Sequence, residues 1–120
     1  MRRFLAMATV IGCTLVGASA CGDDDAGGSG SDAAPKIIKI RFADGKVTPS
    51  GDRIEVGAGQ EVQLVVAADE PGEIHVHSEP EQELAYDEGE EVFKLEFDRP
   101  GVVEVESHEL EQIIVQLEVE

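Results

Sequence analysis

The chain contains three histidines, His75, His77 and His108, so all of its imidazole chemistry rests on these positions. His75 and His77 lie in the segment Glu73-Ile74-His75-Val76-His77, in which polar and apolar residues alternate. In an extended strand, residues i and i+2 leave the same face about 6.5 to 7 Å apart along the chain, so the two imidazoles emerge together while Ile74 and Val76 turn into a core. Two imidazoles at that separation can converge on one ion at about 2.0 to 2.1 Å. Glu106 and Glu109 flank His108, and Glu79 follows the pair, which supplies carboxylates as further ligands. A site of imidazole and carboxylate suits Cu(II) or Zn(II) rather than Cu(I). The competing reading is three solvated histidines on an acidic surface.

Other chemistry is poorly represented. Ser78 adjoins His77 and Ser107 adjoins His108, but neighbours on a strand face opposite sides, so neither pair forms a nucleophilic dyad. Among 26 Asp and Glu some carboxylates meet by chance, and paired acids carry no signal for acid-base catalysis. Gly57-Ala58-Gly59 is too short to cradle phosphate, precedes no helix and reads as a hairpin turn. With four Phe, one Tyr and no Trp, platforms for stacking bases or sugars are missing, and Tyr86 is the one candidate for an exposed aromatic. The expectation is a protein that is not an enzyme.

The elements that would position the histidines are strands. Apolar residues recur with a period of two in Ile38, Ile40 and Phe42; in Val62, Leu64 and Val66; in Ile74 and Val76; in Phe93, Leu95 and Phe97; in Val103 and Val105; and in Ile113, Val115, Leu117 and Val119. Ile54 and Val56 add a short strand. Turn formers punctuate these runs at Asp44-Gly45, Pro49-Ser50-Gly51, Pro71-Gly72, Glu88-Gly89 and Pro100-Gly101. About seven short strands at this spacing predict an all-β sandwich over residues 36 to 120, one small domain. A helical turn is placed at Gln82 to Tyr86.

The N-terminal segment has a different character. Met1-Arg2-Arg3 precedes an apolar run from Phe4 to Val16, too short to span a bilayer, and small residues Gly17-Ala18-Ser19-Ala20 lead to Cys21. This resembles the signal and lipobox of bacterial lipoproteins, with Ala18 where Leu is usual. The resemblance implies that residues 1 to 20 are an export signal and that Cys21 takes a diacylglycerol, anchoring the protein on the extracytoplasmic side of the cell membrane. Residues 21 to 35, rich in Gly, Asp, Ser and Ala, read as a flexible linker. Cys13 leaves with the signal and Cys21 carries the lipid, so the folded part has no thiol for a disulfide or a thiolate metal site. Loss of Arg2 and Arg3 leaves seven cations against 26 acids, a formal −19. Such a field repels nucleic acid and anionic headgroups and attracts cations, while also serving solubility.

From Glu73 onward the order of segments resembles the C-terminal half of a cupredoxin: a strand Ile74-His75-Val76-His77, a loop, the strand region Gly89 to Phe97, the corner Arg99-Pro100-Gly101, the strand Val102 to Glu106, then His108 and a last strand through Val119. The opening Ile38-Lys39-Ile40-Arg41-Phe42, Val47-Thr48-Pro49 and Ile54 to Val62 looks like the family's first strands. The resemblance implies a cupredoxin-like Greek-key β-sandwich, with the loop of His108 brought beside His75 and His77. It departs at the ligands. Val105 stands three residues before the late His, where the family has Cys, and no Met follows His108. Without thiolate, blue-copper electron transfer is not implied. Two expectations follow: a metal-binding lipoprotein that holds Cu(II) or Zn(II) through His75, His77 and His108, or a metal-free surface interaction module for a protein partner that kept only the fold.

Overall fold

The computed structural model describes residues 33–120; the expected export signal, Cys21 and most of the segment 21 to 35 read as a linker lie outside the described residues. In chain order the strands are β1 (Lys36–Ala43), β2 (Lys46–Thr48), β3 (Asp52–Val56), β4 (Glu61–Ala68), β5 (Gly72–His77), β6 (Gln82–Tyr86), β7 (Gly89–Glu96), β8 (Gly101–Ser107) and β9 (Gln112–Val119). Alternation decides which side of each is buried. In β4, Val62, Leu64, Val66 and Ala68 are buried while the residues between them stay half-exposed. A polypeptide pleat sends alternate side chains to opposite faces, so a period-two sequence can satisfy only one arrangement.

Two sheets result. Sheet A runs β2-β1-β4-β7 and sheet B runs β3-β9-β8-β5-β6, and their inner faces form one core. Antiparallel pairing dominates, with β1 on β4 and β3 on β9 as parallel pairs. The core is aliphatic: Ile40, Leu64, Ile74, Ile114 and Leu117 are fully buried, each contributing roughly 1.5–3 kcal/mol. At the β1–β2 hairpin, Asp44 and Gly45 both take positive φ, 54° and 70°, which is the type I′ turn that an Asp-Gly pair favours.

The all-β sandwich is as expected, with four local corrections. Among the described residues there are nine strands rather than about seven. Gln82 to Tyr86 is not a helical turn but edge strand β6, because Leu84 and Tyr86 share one side of a pleat that pairs with β5. Gly57-Ala58-Gly59 is no hairpin turn: it carries the chain from β3 in sheet B to β4 in sheet A, tied by Gly59 N–H to Phe97 O and Ala58 N–H to Glu120 O. In β9 the buried phase begins with Ile114 and Val115 together, and Ile113 is only half-buried, because the register shifts between Val105 and Glu106 of β8.

Candidate metal centre

Strand β5 presents Glu73, His75 and His77 on its outer side, since Ile74 and Val76 are fully buried on the inner side. His108 follows β8 in a tight turn. Two hydrogen bonds clip that turn to the start of β5: His108 N–H donates to Glu73 O at 3.0 Å, and Glu73 N–H donates to a Glu109 carboxylate oxygen at 3.1 Å. Ser107, the one buried polar residue among the described residues, accepts from Leu110 N–H at 3.3 Å and braces the turn from below. Gly72 permits the close approach. A Cβ there would collide with the Tyr86 hydroxyl and come within 2.9 Å of Glu109 Oε2.

The clip brings His108 over His75, with ring centroids 4.7 Å apart and planes 30° from parallel. Glu73 joins them, and one ligand atom from each of Glu73, His75 and His108 lies within 4.8 Å of the others. Ligands of a tetrahedral ion at about 2.0–2.1 Å lie roughly 3.3 Å from one another, so modest side-chain adjustment would seat an ion. His75 Nε2–H now donates to Glu73 Oε1 at 2.6 Å. That hydrogen bond, helped by Glu83 and Glu81, raises the His75 pKa above its ordinary value despite some desolvation.

His77 goes elsewhere. Its ring lies 6.3 Å from that of His75 and is turned 77° to it. Nε2–H donates to Glu106 Oε2 at 2.8 Å and Nδ1 faces Glu81 at 3.6 Å. Glu106, and the negative charge of Glu81 beyond it, hold the His77 pKa above its ordinary value as well. The structure thus unites two of the three histidines singled out from the sequence and leaves the third on its own carboxylates. Of the carboxylates named beforehand, Glu106 serves His77, Glu109 holds the backbone clip, and Glu79 lies 3.9 Å from Arg99. The carboxylate of the cluster, Glu73, was passed over, although Glu73-x-His75 carries the same two-residue spacing as His75-x-His77. Neither Ser78 nor Ser107 meets a histidine, since Ser78 Oγ–H donates to Pro80 O and Ser107 faces the core. Tyr86 is buried rather than exposed, stacked on Phe42 at 4.9 Å, and its hydroxyl pKa is pushed up to about 12 by burial and by Glu109 and Asp69.

No protein family and no curated protein matches the sequence. Solved structures do match the fold. A methionine-to-alanine variant of amicyanin in its Cu(I) form superposes with a TM-score of 0.53 at 16% identity, over 74% of this chain and 87% of that one. The fold is cupredoxin-like. A reduced tryptophan-to-tyrosine variant of amicyanin gives the same figures, and a multi-copper oxidase from Pseudomonas thermotolerans matches at 0.52 and 16%, with 73% of this chain covering 30% of the oxidase. Within this cupredoxin-like frame Val105 is fully buried and faces the core. The side chains gathered at the clip are imidazole and carboxylate, with no sulfur donor among them.

Proposed function

We propose that this chain is a membrane-anchored extracytoplasmic lipoprotein whose cupredoxin-like domain binds one Cu(II) or Zn(II) ion through His75, His108 and Glu73, without catalysing a reaction. The observation that carries the reading is the convergence of these three side chains from two separate segments, fixed by the reciprocal clip between Glu73 and the His108-Glu109 turn. Nitrogen and carboxylate donors suit both ions, and the absence of thiolate argues against a blue-copper electron carrier. The anchor rests on the segment Ala18-Ser19-Ala20-Cys21. Expressed with its own signal, the protein should partition into detergent, and Cys21→Ala should end this.

Calorimetric titration of Zn(II) or Cu(II) at moderate salt into the full chain carrying Cys21→Ala tests the metal reading. One ion per chain is expected, with binding weakened at least about tenfold in His108→Ala, because loss of a ligand costs no less than loss of a group supporting one. His77→Ala should change it little. Unchanged binding in His108→Ala, or many weak sites that fade in salt, overturns the site and leaves the metal-free interaction module in its place.

A further inference from the structure

Glu73, His75 and His108 offer three donors, and a tetrahedral ion takes four. The antiparallel register sets a carboxylate directly opposite His75 on either side, Glu106 on β8 and Glu83 on β6. Opposite residues of an antiparallel pair leave the sheet on one face with Cβ atoms about 4.5–5.5 Å apart, so both side chains rise beside the imidazole. Glu106 is already engaged, since its Oε2 accepts from His77 Nε2–H at 2.8 Å. Glu109 is engaged as well, accepting from Glu73 N–H. Glu83 differs from both. It is exposed, has no hydrogen-bond or ion-pair partner among the described residues, and its charge reaches His75. Ala85, opposite Glu73 on the same face of β6, places only a methyl group beside the cluster, so a side chain leaning in from that strand meets no bulk there.

We propose that Glu83 is the fourth ligand, its carboxylate swinging from β6 onto an ion held by Glu73, His75 and His108, so that the metal fastens the edge of sheet B. The inference rests on the three-residue site and completes it. Two carboxylates then balance the two charges of the ion, and two imidazoles fill the remaining positions. Four protein donors make a closed tetrahedron, the arrangement of structural rather than catalytic zinc sites. The consequence for the fold is specific. Strand β6 lies at the edge of sheet B and is hydrogen-bonded to β5 alone among the strands. A link from Glu83 through the ion to His108 joins this edge to the turn between β8 and β9, which no backbone hydrogen bond of β6 reaches.

The test titrates Zn(II) by calorimetry at moderate salt into the full chain carrying Cys21→Ala. Adding Glu83→Gln should weaken binding at least about tenfold with one ion per chain retained, because a lost ligand costs no less than a lost group supporting one. Adding Glu81→Gln removes the same charge from a position just before β6 and should change binding little. Amide hydrogen exchange supplies a second readout. Zn(II) should slow exchange across Gln82–Tyr86 in the parent chain and not in the Glu83→Gln variant, while the turn of His108 is protected in both. Unchanged affinity in Glu83→Gln, an equal loss in Glu81→Gln, or a parent chain whose His108 turn is protected without β6 would each overturn the role of Glu83. His108→Ala tells that failure from a deeper one: weakened binding there keeps the three-residue site and removes Glu83 alone, whereas unchanged binding removes both.

Discussion

The two outer faces of the sandwich come from one rule of alternation and present opposite chemistry. On sheet A, Lys39, Arg41, Lys46 and Lys94 offset Glu61, Glu90 and Glu96 around an apolar strip. On sheet B, Glu55, Glu73, Glu83, Glu104, Glu106 and Glu118 surround His75 and His77, with Arg53 as the cation. The inward residues of both sheets are apolar, mostly aliphatic, with Phe42, Phe97 and Tyr86 among them. Pleat geometry requires only that alternate positions be apolar, and it leaves the outward positions free to carry function. Sheet B fills them with carboxylates, two of them paired with His75 and His77, and sheet A with nearly balanced charge.

The sharpest way to break the contrast is at two glycines. Gly72→Ala forces a methyl group into the Tyr86 hydroxyl and Glu109, where overpacking costs about 1–3 kcal/mol, and it displaces the carboxylate that holds the His108 turn. Metal binding should be lost together with thermal stability. Gly45→Ala, in the sheet A hairpin, meets nothing within 4 Å but keeps a φ of +70°, so it should cost about 1–2 kcal/mol of backbone strain and leave metal binding intact. Differential scanning calorimetry with and without Zn(II) separates them. Equal metal binding in the two variants would show that the clip does not position His108.

Alternation made most of the sandwich readable in advance, because β1, β4, β5 and β8 carry unbroken period-two runs. Reading failed where a residue's fate depends on a distant partner. Tyr86 reads from the sequence as part of the loop after the His pair and so as exposed, yet Phe42 from the other sheet provides its stacking surface. Ile114 is buried through a shift of register against β8, which local spacing does not encode. At the site, His75 and His108 were found from residue type and a family likeness. Glu73 stands two residues before His75, a spacing that by itself does not select it among 26 acids, and the clip to the His108-Glu109 turn is what singles it out. His77 is expected in the cluster from its spacing to His75 and from the family likeness, whereas in the structure its ring pairs with Glu106 on β8 and Glu81 beside β6.

Protons sharpen the comparison next. Glu73 raises the pKa of His75 and Glu106 that of His77, while sheet A has no histidine. A raised folded-state pKa means that the charged form is stabilised by folding. This contribution is fully present below the unfolded value of about 6.5 and is lost as pH rises through the higher folded values. Without metal, the melting temperature should therefore fall as pH rises above about 6.5, and His75→Gln with His77→Gln should flatten that fall. Zn(II) needs neutral imidazole, so the gain in melting temperature on adding it should grow across the same window. A metal-free melting temperature that rises with pH in the unsubstituted chain and not in the double variant would contradict the assignment of these two pairs.

The smallest effect concerns one exposed ion pair on each face. Arg53 Nη1 lies 3.0 Å from Glu118 Oε1 on sheet B, and Lys94 Nζ lies 3.7 Å from Glu61 Oε1 on sheet A. Exposed pairs of this kind are worth about 0–1 kcal/mol, so neither Arg53→Ala nor Lys94→Ala should move stability further than that. Their surroundings still rank them. Glu61 keeps a second donor when Lys94 is removed, because Gln63 Nε2–H reaches it at 2.5 Å. Removal of Arg53 leaves Glu118 beside Glu55 and Glu104 without the cation of that face. Arg53→Ala should accordingly cost more than Lys94→Ala in urea unfolding at low salt, and the difference should shrink as added salt shortens the Debye length. Equal costs at every ionic strength would mean that the contrast between the faces does not reach the energetics of single pairs.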